Sequence, residues 1–206
     1  MPTILLIRHA ENEYVKKGRL AGRLPGVQLN KKGRQQAQAL AETLKDAPIK
    51  AIYVSPLERT LETAAPIAAA LNLDVIPNSG LLEIDFGDWQ DKTLKELRRR
   101  KLWRTVQQAP SRMCFPGGES FAAAQARIIT ALEALCQKHS PKEMLICVSH
   151  SDSIKLAVAY YLGMHIDHFQ RLMIAPASIT TLFLGEGQTR VINVNMDAGH
   201  KLQAEH

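Results

Sequence analysis

Two apolar runs constrain the fold of this chain more than any other feature. They are Thr3-Ile4-Leu5-Leu6-Ile7 and Met144-Leu145-Ile146-Cys147-Val148, and each is followed two residues later by a histidine, His9 and His150. Uninterrupted β-branched and aliphatic runs of this kind read as strands buried on both faces, the condition of a parallel sheet covered by helices on each side. Open α/β sheets bind ligands beyond the carboxyl ends of their strands. Both imidazoles are therefore expected at one rim, with Arg8 beside His9, and an arginine next to a histidine there points to phosphate.

The remaining segments supply the alternation that such a sheet needs. A helix is predicted from about Asn30 to Asp46, with Ala37, Leu40, Ala41 and Leu44 on one face. A short strand at 51–54 leads into Ser55-Pro56-Leu57-Glu58. There Ser55 reads as the helix cap, Pro56 as the first helical residue and Glu58 as the partner of a capping box. A third strand is predicted at 73–76 and a second capping box at Thr93 and Glu96. A long helix follows Pro116-Gly117-Gly118, carrying Phe121, Ala124, Ile128, Leu132 and Leu135 on one side. Two more strands are expected at 179–184 and 190–194, and the segment from Val194 to His206 reads as a frayed end. The expected fold is a three-layer α/β/α sandwich with a mostly parallel central sheet. Residues 1–206 form one domain in this reading, with roughly 90–120 as a small helical cap insertion.

With 206 residues, 46% of them hydrophobic and 22% charged, the chain has the composition of an ordinary globular domain. No apolar run approaches the ~20 residues that span a bilayer. Nothing at the N-terminus resembles a secretory signal. Cys114, Cys136 and Cys147 are odd in number and lack metal-ligand spacing, and the last two fall where core packing is expected. A cytoplasmic protein without membrane contact is the expectation. The net charge of +6 suits an anionic small molecule, and nucleic acid is a disfavoured partner. Its densest cluster, Lys95, Arg98, Arg99, Arg100, Lys101 and Arg104, reads as a solvated face. A homodimer stays open.

Four short motifs occur in order along the chain. Arg8-His9-Ala10-Glu11, Ser55-Pro56-Leu57-Glu58-Arg59-Thr60, Leu82-Glu83 with Phe86-Gly87-Asp88-Trp89, and Val148-Ser149-His150 together resemble the histidine phosphatase superfamily, which contains the cofactor-dependent phosphoglycerate mutases. The resemblance implies a metal-independent histidine phosphatase of the acid/alkaline type, with no cofactor. It implies that His9 attacks phosphorus, that Arg8, Arg59 and His150 hold the phosphoryl oxygens, and that Glu83 is the general acid and base. Asn12, Arg19, Gly22, Arg23 and Ser151, with the two arginines, are the expected substrate contacts.

The chain departs from the family pattern at several positions. Ala10 stands where glycine is usual, and its methyl is expected to crowd the phosphate. Val15 replaces a phosphate-binding asparagine, Ser151 replaces a glycine, and Asp91 stands where glycine is common. Asp85 and Asp88 share the acidic loop and read as turn residues. The expected substrate is a small phosphorylated metabolite. A mutase, a metal-dependent phosphoesterase using His9, His150, Glu11 or Asp152, and a non-catalytic phospho-ligand module are the competing readings. The short segment between the acidic loop and His150 favours a hydrolase over a mutase.

Overall fold

The computed structural model describes residues 2–185 and 188–197. Six strands form one sheet: β1 (Thr3–Arg8), β2 (Ile49–Val54), β3 (Val75–Pro77), β4 (Met144–Ser149), β5 (Ile179–Gly185) and β6 (Gln188–Met196). Their spatial order is β3-β2-β4-β1-β5-β6. The first four positions are parallel, whereas β5 and β6 run antiparallel at one side. The helices are α1 (Glu13–Lys16), α2 (Lys31–Leu44), α3 (Glu58–Leu71), α4 (Leu94–Leu97), α5 (Lys101–Gln108), α6 (Phe121–Lys138) and α7 (Ser151–Tyr161).

Strand alternation creates the three layers. Ile4 and Leu6 of β1 pack with Leu145 and Cys147 against α6 and α7, while Leu5 and Ile7 pack with Ile146 and Val148 against α2 and α3. Successive side chains of a strand face opposite ways, so a strand buried on both sides has no polar position to spare. The face predicted for the long helix, Phe121, Ala124, Ile128, Leu132 and Leu135, is buried throughout. Cys136 and Cys147 lie in the core, as their neighbours in sequence implied.

A third apolar cluster lies apart from the sheet. Trp89, Leu97, Val106, Met113 and Phe115 gather on Phe121 and Phe169. The basic cluster is exposed, as a solvated face should be, and the helix breaks between Leu97 and Lys101. Arg100 lays its guanidinium 5.9 Å from the Trp89 ring. The capping box of Thr93 and Glu96 is formed.

Two local readings are corrected. The helix after β2 begins at Glu58, not Pro56, and its cap is Leu57 without a side-chain bond. Ser55 does not cap it, because its hydroxyl is taken up by His150, 2.8 Å away. Residues 194–196 are not frayed: they complete β6, where Asn195 accepts from the Ala175 amide. Asp197 follows the strand, and 198–206 lie outside the described residues.

Candidate active site

Three neighbouring strands, β2, β4 and β1, end at the same edge, and backbone bonds lock their exits together. The His9 amide donates to Ser149 O (2.9 Å) and the Ser55 amide to Val148 O (3.0 Å). Ala177, held at a φ of 58°, turns its amide onto Arg8 O at 3.1 Å. The Arg8-His9 dipeptide is thus fixed from both sides before any side chain is considered.

The His9 and His150 rings meet edge to face with centroids 5.3 Å apart. His9 Nδ1 lies 2.8 Å from the Ala10 carbonyl, which can only accept, so Nδ1 carries the proton and Nε2 keeps its lone pair. Arg59, 1% exposed, donates through Nη2 to Gly22 O (2.7 Å) and to His150 Nδ1 (3.2 Å). The proton of neutral His150 must then sit on Nε2, facing Ser55. Arg8 is anchored by Nη1 on Ile174 O at 2.6 Å.

These groups border a cavity of about 120 Å³ whose wall includes Arg8, His9, Asn12, Arg19, Gly22, Arg59, Glu83 and Ser151. Among the described residues, seven buried side-chain polar atoms lack a partner. Five of them, Arg8 Nε, Asn12 Nδ2, Arg19 Nε, Arg59 Nε and Arg59 Nη1, belong to residues of this wall. All five are N–H donors. Buried polar groups are nearly always satisfied, so a cluster of unmatched donors defines a site complementary to an anion rich in acceptors.

Electrostatics point the same way. Burial, followed by the charges of Arg59 and Arg8, holds His9 well below the ordinary histidine range. His150 is lowered for the same first two reasons, with His9 adding to them. Both rings are therefore neutral at physiological pH. Burial also lowers Arg59 to about 10, which leaves it charged. Glu83 moves the other way. Burial, and then Asp152, raise it to about 7 against the Ile84 amide that donates to it and the charges of Arg59 and Arg8.

Glu83 is held by a network that sequence reasoning missed. Arg127 donates to three carbonyls of its loop, Gly80 (2.9 Å), Leu82 (2.9 Å) and Glu83 (3.4 Å). Glu119 pairs with Arg127 at 2.7 Å and with Arg23 at 2.9 Å, and it accepts the Asp85 amide. Ser153 reaches both Leu82 O and Glu83 Oε1. The signal was present in Pro116-Gly117-Gly118-Glu119: a Cβ on Gly118 would collide with the Asp85 carbonyl, so these glycines let the turn press onto the acidic loop.

Several predicted contacts are placed differently. His150 is fully buried beside His9, with Nδ1 on Arg59 and Nε2 on Ser55. Arg23 is absent from the wall: its guanidinium is spent on Glu83 O, Glu119 and Asp85. The Ala10 methyl packs into the core beside Leu29 and Ala37 instead of crowding the site. Asn12 borders the cavity and uses its oxygen to cap α1, which leaves its amide nitrogen without a partner. Arg19 is tied to Asp91 (3.0 Å), whose φ of 63° is the conformation glycine adopts most easily. Asp85 accepts the Gly87 amide, as a turn residue does. Glu11 holds Lys32 and Asn30 away from the wall. No group of three or more His, Cys, Asp or Glu side chains is arranged for a metal ion among the described residues.

The fold and this site belong to one family, and the family model confirms it over residues 4–197: the chain is a member of the histidine phosphatase superfamily (branch 1). It is 31% identical over 198 residues to Phosphoserine phosphatase 1 of Hydrogenobacter thermophilus, covering 95% of this chain and 93% of that protein. It is 30% identical over 190 residues to the 2,3-bisphosphoglycerate-dependent phosphoglycerate mutase of Thermoplasma acidophilum, covering 88% and 87%. Among solved structures, Bacillus stearothermophilus YhfR superimposes with a TM-score of 0.88 at 28% identity, covering 96% of this chain and 98% of that one.

Proposed function

We propose that the protein is a phosphomonoesterase that hydrolyses a small phosphorylated metabolite through a phosphohistidine intermediate, without a metal ion. The observation that carries this is that five unmatched N–H donors belong to residues bordering one cavity with the neutral imidazole of His9. The phosphoryl group sits among Arg8, Arg59, Asn12 and Arg19. His9 Nε2 bonds to phosphorus as the ester P–O bond breaks, and protonated Glu83 gives its proton to the leaving oxygen. Water then bonds to phosphorus, the N–P bond breaks, and Glu83 takes back a proton. Fixed cations stabilise the charge of both transition states.

His150 acts in two stages. Its Nδ1 first orients Arg59. A phosphoryl dianion beside it raises its pKa, and the ring, once protonated at Nδ1, gives up its bond from Arg59 and turns that donor, with the guanidinium it releases, to the phosphoryl oxygens. The chain works as one unit in this reading, with residues 90–120 covering the rim. The phosphoserine phosphatase relative supports hydrolysis. The mutase relative keeps isomerisation of a phosphorylated sugar acid as the second reading.

Phosphate release from a panel of phosphorylated metabolites, with and without chelator, tests the first reading. We expect multiple turnovers and no loss on chelation. A phosphoglycerate isomerised faster than it releases phosphate would establish the mutase instead, and loss of activity on chelation would overturn the metal-free mechanism.

The pH dependence stems from Glu83. A carboxyl raised to about 7 is protonated below that pH and loses its acid form above it. With an alkyl phosphate, kcat/KM is therefore expected to fall as pH rises through about 7. His9 is lowered and stays neutral through the mildly acidic range. Glu83→Gln should lower kcat/KM by about 10²- to 10⁴-fold and remove the alkaline limb. The substrate's own ionisation near pH ~6 is common to both proteins. Profiles of the same shape in the two proteins would show that Glu83 is not the acid.

A further inference from the structure

The phosphate cup opens into a second cavity of about 400 Å³, and Arg8, Val15, Arg19, Leu20, Phe86 and Asp152 border both. A group esterified to a phosphoryl in the cup has this adjoining space to extend into. Its walls are aromatic and aliphatic: Phe86, Trp89, Trp103 and Phe115 face it together with Leu20 and Leu94. Trp103, only partly buried, stacks on the buried Trp89 at 6.4 Å with 16° between their planes and is the accessible flat surface of this wall. Val15 adds an aliphatic surface at the junction. A cavity of this size and lining is typical of ligands well beyond a three-carbon acid.

The cavity's charges are unequal. Lys155 is matched by Asp152 at 3.2 Å and also reaches Gln170, while Arg19 is matched by Asp91. Arg98, at the end of α4, also borders the cavity, and among the described residues its guanidinium has no hydrogen bond or ion pair. One unmatched guanidinium therefore borders a largely apolar chamber that shares part of its wall with the phosphate cup.

Building on the phosphatase reading, we infer that the preferred substrate is a phosphomonoester whose alcohol carries a planar, apolar body for the Trp89–Trp103 side and a second anionic group, carboxylate or phosphate, for Arg98. Planar guanidinium suits either anion bidentately. An alcohol of two or three carbons fills little of a cavity of about 400 Å³.

Four esters of primary alcohols, with closely matched intrinsic reactivity, separate the possibilities: ethyl phosphate, 2-phenylethyl phosphate, and the 4-carboxy and 4-phosphono derivatives of the latter. We expect kcat/KM to rise about tenfold or more from ethyl to phenylethyl. A further rise of about three- to fivefold is expected for whichever anion Arg98 accepts, the range an exposed ion pair allows. Trp103→Ala should narrow the first ratio, with Trp103→Phe largely restoring it. Arg98→Met should bring the second ratio to about one. Equal rates for ethyl and phenylethyl phosphate, or ratios that neither variant changes, would overturn the inference while leaving the phosphatase intact. Absence of phosphate release from all four would overturn both.

Discussion

Replacing His9 with alanine is expected to reduce turnover of an aryl phosphate by on the order of 10⁴-fold or more while leaving the protein folded. Loss of a nucleophile removes the covalent route altogether, and only the contribution of binding and charge stabilisation survives. The structural cost is small. The His9 ring makes one hydrogen bond, to the carbonyl of its own neighbour Ala10, and the Arg8-His9 backbone is held by Ser149 and Ala177 whatever the side chain. The lost bond is worth about 1 kcal/mol. Initial rates together with a thermal melt check both halves of the prediction. A folded His9→Ala variant within tenfold of the parent would show that another group attacks phosphorus.

Arg59→Met should cost about 10³-fold in kcat/KM, because Arg59 supplies two of the five unmatched donors and a buried charge at the transferring group. Methionine nearly matches its reach and keeps the pocket filled. The variant should also show effects that a merely structural residue would not. Arg59 lowers both His9 and His150 through its charge, so its removal moves both rings up toward the ordinary histidine range. The acid limb of the pH–rate profile should move up with them. Orthovanadate or phosphate at about 100 times its Kd should stabilise the parent by about 2.7 kcal/mol, and Arg59→Met should lose most of that. Arg59→Lys should rescue little, since an ammonium cannot present the fork that touches Gly22 O and His150 together. Exposed Arg99 is the control, and Arg99→Met is expected to match the parent. A fully active Arg59→Met would remove the cationic cup from the mechanism.

Much of this site is legible in the sequence because its parts sit at strand ends. A run such as Leu5-Leu6-Ile7 has one reading, a strand covered on both sides, and the residues after it must emerge at the rim. Arg8, His9 and His150 are located on that ground. Motif alone places Arg59 and Glu83, and the structure puts both on the same cavity wall. The misreadings share a cause. Ser55 reads locally as a helix cap and Arg23, in its basic loop, as a substrate contact, and local sequence cannot show that partners distant in the chain claim them. Ser55 is taken by His150, and Arg23 by Glu83 and Glu119. The Glu119–Arg127 support of the acidic loop is invisible for the same reason, because its partners are brought together by the cap turn and not by spacing. The cap cavity depends on how loop 18–20 docks against 91–94, where Leu20 and Lys92, and Gly18 and Leu94, are joined through backbone bonds. Nothing periodic announces such a contact.

The measurement closest to the central claim is the location of the phosphoryl group during turnover. Enzyme mixed with excess substrate, quenched in base and digested, should yield one labelled peptide by tandem mass spectrometry, phosphorylated on the His9 imidazole. The label should vanish in His9→Ala and accumulate in Glu83→Gln supplied with an aryl phosphate, whose good leaving group needs no acid. Phosphate bound at any other side chain, or steady turnover with no label on His9 under either condition, would contradict the account.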